Sequence, residues 1–186
     1  MLLKWLRRAS PTDTIEAIYG AIVAQARSPA FYADFNVPDT VEGRFDMIVL
    51  HLFLLMRRFK RGGPEQQKLG QALMERFCSD LDANLREMGV GDLTVPKKMQ
   101  KFAEAFYGRS ATYERALVAG DRNAGSVAIA RNIFGQDHPL GGARQLSDYM
   151  FAAAAVLDAS PDSAITEGRF SYPSIFGAAV NPAGAA

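Results

Sequence analysis

The 186-residue chain carries 21 basic and 20 acidic residues, a formal net charge of +1 that excludes a generic polycationic nucleic-acid binder. Its single cysteine, Cys78, excludes a disulfide framework, and its two histidines, His51 and His138, offer little material for a metal cluster. A chain of this length can bury about 70% of its unfolded surface and therefore needs no metal or disulfide to fold. We predict no cofactor, no metal and no bound haem.

The first eight residues, MLLKWLRR, mix apolar and basic side chains. Because Lys4 interrupts the apolar run, no secretory signal peptide is expected. Two interpretations stay open, namely a first helical turn that packs on the body and a small contact with a membrane surface. The residues of this candidate membrane contact are Leu2, Leu3, Trp5, Leu6, Arg7 and Arg8.

The chain then shows a helical pattern nearly throughout. Asp13 and Glu16 have the spacing of a capping box at the start of a first helix. A short helical turn is expected over Ala30–Phe35, between two prolines that interrupt the pattern. The apolar residues of the first helix recur at spacings of three and four and are Ile15, Ile18, Tyr19, Ile22, Val23 and Ala26.

The next helix is predicted from about Thr40 to Lys60, with a second capping pattern at Asp39 and Glu42. This helix is apolar on all sides, which is typical of a helix at the centre of a bundle. Its longest apolar run, Met47–Met56, is too short to span the ~30 Å of hydrocarbon in a bilayer.

A long helix follows over Glu65–Met88, and Gly89 is the expected left-handed residue at its end. Pro96 fits the first turn of another helix, which continues past an interruption at Gly108 and closes at Gly120. The linker that joins these two helices, 89–96, is short.

Weaker helical patterns cover Ala124–Phe134 and Gly142–Leu157, and the residues from Ser160 onward suggest an extended tail. We predict an all-α fold, a single compact domain of six to eight helices with an extended C-terminal tail. The expected boundaries are an N-terminal segment 1–11, a helical domain 12–158 and a tail 159–186.

Residues with catalytic chemistry give little support for a reaction site. His51 lies in an apolar helix, where a histidine bonded to a neighbour is the expected role, and Cys78 is expected to act as a small buried hydrophobe. Asp80, Asn84 and Glu87 share a helix face that is expected to be solvated. An enzyme of unknown type with a helical pocket stays open as an alternative, and a deep polar pocket lined by titratable groups would identify it.

Two basic clusters stand out. The cations within residues 57–61 lie at a helix C-terminus, where the macrodipole favours positive charge. Lys97, Lys98 and Lys101 lie in the first turns of a helix, where the same dipole disfavours it. A cluster that works against its local electrostatics suggests an acidic or phosphate-bearing partner, although a role in solubility alone is equally open.

The linker between the two long helices is the third unusual feature. The segment Asn84–Gly91, with the sequence NLREMGVG, places two glycines next to the apolar side chains of Leu93 and Val95. These apolar residues look exposed, so the connection is either a shaped surface or an ordinary helix-to-helix turn.

Several stretches of the first half carry a family resemblance. They are Tyr19–Val23, Gln25–Arg27, Pro29–Tyr32, Val37–Thr40, Glu42–Phe45, Met47–Arg58, Phe77–Cys78, Asp80, Asp82, Asn84–Asp92, Val95–Met99 and Ala105–Arg109. In this order and spacing they resemble the ubiquinol–cytochrome c chaperone family, over about Ile15–Leu117.

The resemblance implies a role without catalysis. Mitochondrial members of the family assist assembly of respiratory complex III by receiving newly made cytochrome b, act with a small partner protein, and contact the mitochondrial ribosome. This chain looks like a stand-alone bacterial form without a mitochondrial leader, so the ribosome and the small partner need not transfer. The expected location is the cytoplasm, with peripheral contact at the inner face of the bacterial inner membrane.

The expected function is therefore an assembly chaperone that binds cytochrome b or its nascent chain. Its partner-binding residues are predicted to be Arg86, Glu87, Asp92, Lys97, Lys98 and Lys101.

Polar contacts among helices are expected instead for Arg44, His51 and Tyr107. Of the methionines, Met47, Met56, Met74, Met88 and Met99 would form an adaptable surface where exposed, and Met47 is expected in the core. The alternative outside this class is a membrane-surface adaptor that uses residues 2–8 as its foot.

Overall fold

A computed structural model describes residues 10–135 and 140–175, and within these ranges the chain is helical with no strand. The all-α prediction is confirmed. The helices are α1 (Pro11–Ala26), α2 (Pro29–Ala33), α3 (Val41–Arg61), α4 (Pro64–Glu87), α5 (Val95–Ala119), α6 (Arg122–Ile129), α7 (Leu140–Ala159) and α8 (Asp162–Thr166).

Helix α3 lies at the centre of the bundle, in contact with α1, α4, α5 and α7. It is apolar around most of its circumference because each of these neighbours covers one side. Its N-cap is Thr40, whose Oγ1 accepts a hydrogen bond of 3.1 Å from the backbone N–H of Gly43. The predicted capping role of Asp39 was wrong, since this carboxylate pairs with Arg44 instead.

The start of α1 also differs from the prediction. A capping box is present, but it joins Ser10 and Asp13, one turn before the predicted pair of Asp13 and Glu16. Pro11 at the first helical turn favours the earlier start. Glu16 accepts a hydrogen bond of 2.7 Å from Arg76 and so ties α1 to α4.

Helices α4 and α5 form a hairpin across the short linker between them. Gly89 and Gly120 follow the two helices with φ values of +79° and +67°, the left-handed conformation expected of a residue that ends a helix. The expected interruption at Gly108 is absent, because α5 runs through this residue without a break.

The segment after α7 is more ordered than the predicted extended tail. Residues 162–166 form α8, and Ile165 of this helix is fully buried. Beyond α8 the chain has little regular structure up to residue 175, yet Tyr172 packs edge-on against the ring of His51 at 4.9 Å between centroids.

The last residues of the predicted helix Ala124–Phe134 form a π-helical turn, Ala130–Phe134, that continues α6.

The basic cluster at the end of α3 is used inside the molecule. Arg57 donates to Glu114 at 2.7 Å and to Asp158 at 2.8 Å, and Arg61 donates to the same two carboxylates. These four charges tie α3 to α5 and α7. Arg57 and Arg61 are therefore paired within the molecule, whereas Lys60 of the same cluster is exposed.

Arg58 makes a second, buried network at this end of α3. Its guanidinium donates to Gln66 Oε1 at 2.7 Å, to the carbonyl oxygen of Leu157 at 2.9 Å and to the carboxylate of Asp162. The network fixes the turn between α7 and α8 on the core, because one side chain satisfies acceptors from three elements.

Candidate interaction surface

The loop between α4 and α5 is a compact turn with its own backbone hydrogen bonds. The N–H of Val90 donates to the carbonyl of Leu85 at 3.0 Å, and the N–H of Thr94 donates to that of Gly91 at 2.8 Å. Val95 is buried and anchors the loop at the start of α5, so the expectation that it is exposed was wrong. We call residues 86–101, which contain this loop and the first turns of α5, the hairpin tip.

Arg86 stabilises the hairpin tip from the side of α4. Its guanidinium donates to Asp82 at 2.7 Å, one helical turn earlier, and to Asp92 in the loop. The structure thus brings together two of the predicted partner-binding residues, Arg86 and Asp92, in an exposed ion pair. Glu87, the third acidic side chain here, is exposed next to them.

The three lysines of the predicted surface, Lys97, Lys98 and Lys101, are exposed on the first turns of α5. Across residues 10–135 and 140–175, none of them forms an ion pair. The helix dipole does not compensate their charge either, since they lie at the positive end. Their positive charge therefore faces solvent.

Two large apolar side chains are exposed at the hairpin tip. Leu93 is 89% exposed, as the sequence suggested, and Met88 is 72% exposed. Met88 was not among the predicted partner-binding residues. Its position was a signal that could have identified it, because it is the last apolar residue of the predicted helix Glu65–Met88 and lies at the C-cap of α4, one residue before Gly89. Of the other methionines, Met47 is buried as expected, and Met56, Met74 and Met99 are half-buried.

An aromatic cluster connects the root of the hairpin to the core. The ring centroids of Phe77 and Phe102 are 5.2 Å apart, and that of Phe45 on α3 is 5.6 Å from Phe102. Cys78 is half-buried beside this cluster, and burial raises the pKa of its thiol. A protonated, half-buried thiol is a poor nucleophile.

Other residues with predicted roles lie away from the hairpin tip. His51 is buried and hydrogen-bonded, as expected. Arg44 pairs on the surface with Asp39, in the turn before its own helix, and Tyr107 is 67% exposed on α5. Within the described residues, neither side chain makes the predicted hydrogen bond between helices.

Of the predicted solvated stripe, Asn84 and Glu87 are exposed, whereas Asp80 accepts a hydrogen bond of 2.8 Å from Tyr19 and so ties α4 to α1.

No cluster of three or more metal-binding side chains occurs in the part of the chain that the structure describes. Among the same residues, no helix has the length and apolar character needed to cross a membrane. The candidate membrane contact of Leu2, Leu3, Trp5, Leu6, Arg7 and Arg8 lies outside the described residues, as does His138.

Comparison with known proteins places this fold among assembly factors. A family profile described as ubiquinol–cytochrome c chaperone matches residues 33–175. The crystal structure of a Cbp3 homolog from Brucella abortus superposes with a TM-score of 0.84 at 38% identity, over 95% of this chain and 99% of that one.

Curated relatives are more distant. The chain is 22% identical to ubiquinol–cytochrome c reductase complex assembly factor 1 of Xenopus laevis, over 62% of this chain and 58% of the relative. Against the same factor of Drosophila melanogaster it is 23% identical, over 80% of this chain and 59% of the relative. The chain thus spans less than two thirds of the length of these relatives.

Proposed function

The chain belongs to the ubiquinol–cytochrome c chaperone family, and on this basis we propose that it is a non-catalytic assembly chaperone for cytochrome b of respiratory complex III. It would bind cytochrome b or its nascent chain while the other subunits are absent. The partner-binding residues in this proposal are Arg86, Glu87, Asp92, Lys97, Lys98 and Lys101.

The observation that carries the proposal is the combination of exposed apolar and uncompensated basic side chains at the hairpin tip. Met88 and Leu93 expose two large apolar side chains within one short loop. Large apolar side chains exposed on a free-standing domain are normally scattered singly. The loop is braced by Arg86 and by its own backbone bonds, so little conformational freedom is lost when a partner binds. Such a rigid, amphipathic projection suits a client that is apolar and carries acidic or phosphate groups nearby.

The positions of the reactive side chains also support binding over catalysis. His51 is enclosed by Met47 and Tyr149, and the thiol of Cys78 packs on the core. Neither residue belongs to the hairpin tip, which fits a surface that acts by contact and charge.

The test is capture of cytochrome b from detergent-solubilised membranes of the source cell. We compare the wild type with a variant that carries Lys97→Glu, Lys98→Glu and Lys101→Glu. A matched control carries Lys60→Glu, Lys68→Glu and Arg131→Glu, which changes the net charge equally at exposed cations away from the tip. Because detergent replaces the bilayer, the measurement reports on protein contact.

We expect the wild type and the control to retain cytochrome b and the tip variant to lose it by about tenfold or more, since reversing charges opposite an acidic partner costs several kcal/mol. Circular dichroism and thermal unfolding establish that each variant is folded. Equal capture by the tip variant and the wild type would overturn the predicted surface. Absence of cytochrome b from all three samples would overturn the proposed function.

A further inference from the structure

We propose that the hairpin tip docks on an anionic lipid bilayer, with Leu93 and Met88 inserted into the interface and Lys97, Lys98 and Lys101 against the lipid phosphates. The proposal goes beyond the proposed function, because it requires lipid and does not require cytochrome b. It also uses a part of the chain distinct from the N-terminal residues considered as a membrane foot.

The apolar half of the argument rests on the exposure of the two side chains at the apex. Leu93 is more exposed than any other large apolar residue in the described part of the chain, and Met88, which is 72% exposed, lies five residues earlier at the C-cap of α4. Two apolar side chains that project from a braced turn enter the headgroup region with little loss of conformational entropy. A fluid interface accommodates such a small projection, whereas a protein partner must provide a matching cavity.

The charge of the hairpin tip has the sign that anionic lipid requires. Arg86 pairs with both Asp82 and Asp92, a group with a net charge of −1, so together with Glu87 two negative charges oppose the three lysines and the tip keeps a net positive charge. Lysine ammonium groups on long flexible stems reach phosphates while their methylene groups lie along the interface. Each basic residue close to an anionic surface adds to the attraction, and the attraction weakens as salt screens it.

The position of the tip in the fold leaves the rest of the molecule accessible. Helices α4 and α5 both lead away from the loop, and the helical rise places the far end of α5, at Val118, roughly 35 Å from its start. Val118 is 70% exposed, which makes it a matched apolar control outside the docking surface.

The first experiment measures flotation of the full chain with vesicles of phosphatidylcholine, with and without phosphatidylglycerol. The variants are Met88→Asp with Leu93→Asp, the triple Lys97→Glu, Lys98→Glu and Lys101→Glu, and the control Val118→Asp with Val127→Asp. We expect the wild type and the control to float with the anionic vesicles at low salt, and both tip variants to bind about tenfold more weakly or worse.

The second experiment locates the inserted residue. The chain has one tryptophan, Trp5, so Leu93→Trp in a Trp5→Phe background carries a single fluorophore at the tip. Brominated lipids should quench this fluorophore in anionic vesicles, and should not quench Val118→Trp in the same background. Quenching of Trp5 in the wild type, together with no quenching at position 93, would assign binding to the N-terminus and overturn the proposal.

The two proposals fail separately. No flotation of the wild type, or equal flotation of the wild type and both tip variants, overturns the lipid contact whatever happens to cytochrome b. A tip variant that loses vesicle binding but retains cytochrome b in detergent supports the lipid contact and places the client elsewhere. Loss of both, with folded variants and intact controls, assigns the hairpin tip to lipid and client together.

Discussion

The phenol of Tyr149 donates a hydrogen bond of 2.8 Å to Nε2 of His51 across the core, between α7 and α3. The Nδ1 of the same ring lies 2.7 Å from the carbonyl oxygen of Met47, which can only accept, so Nδ1 carries the proton. Burial lowers the pKa of His51 to about 4, so the imidazole is neutral and Nε2 is the acceptor. Gln25 on α1 donates to the phenol oxygen at 3.0 Å, so the chain of bonds joins three helices.

Removing this phenol should destabilise the fold without changing its architecture. Tyr149→Phe leaves Nε2 of His51 buried without a donor, which we expect to lower the free energy of unfolding by about 1–3 kcal/mol. Urea denaturation measures the change. Tyr32→Phe is the control, because Tyr32 donates from a half-buried site to the carbonyl of Ala26 and its loss should cost about 1 kcal/mol. Equal effects of the two substitutions would contradict the assigned role.

The buried imidazole also predicts a pH dependence. Burial lowers the pKa of His51 to about 4, below the value of about 6.5 in an unfolded chain. Between these values the unfolded state binds a proton that the folded state does not, so the free energy of unfolding falls as the pH is lowered from about 6.5 to 4. His51→Gln, which cannot titrate there, should lose this part of the slope, worth about 3 kcal/mol at most. Parallel stability curves for the two proteins would refute the depressed pKa.

Arg58 offers a contrast between a buried cation and its exposed partner. Arg58→Ala leaves Gln66 and the carbonyl of Leu157 without their donor, and we expect a loss of about 3 kcal/mol in the free energy of unfolding. Asp162→Asn should cost less than about 1 kcal/mol, since the carboxylate is mostly exposed. Thermal unfolding of both variants tests whether Arg58→Ala destabilises the protein more than Asp162→Asn does. A larger loss of stability for Asp162→Asn would contradict the prediction.

Two glycines within helices should respond to alanine with opposite signs. A Cβ on Gly43 would lie 2.0 Å from the backbone oxygen of Pro38, so Gly43→Ala should destabilise the protein by about 3 kcal/mol or more. A Cβ on Gly108, on the exposed side of α5, meets nothing within 4 Å, so Gly108→Ala should stabilise by about 0.5–1 kcal/mol. Paired thermal melts measure both, and a stabilised Gly43→Ala would show that the turn before α3 can move.

Hydrophobic periodicity was sufficient for the fold class and for the central place of α3, because a helix that is apolar on all sides must be covered on all sides. Helix starts were less predictable. Asp13 forms a capping box with Ser10 and not with Glu16, since several polar residues compete for a cap and Pro11 decides between them by its fixed φ. Gly108 was expected to interrupt the helix that continues beyond it, but the flanking helix formers and its exposed position make one glycine tolerable within α5.

By itself, the sequence determined the family, the helical architecture and the exposure of Leu93 and the three lysines, because spacing and residue type are local properties. Only the tertiary structure decided which charges are already paired. The cations of residues 57–61 and of Lys97–Lys101 look alike in sequence, yet Glu114 and Asp158, distant in the chain, pair with Arg57 and Arg61. Side chains from α5 and α7 meet α3 only when the bundle closes, so this pairing follows from long-range packing. No such carboxylates pair with the lysines of the hairpin tip within the described residues, and their charge stays available to a partner.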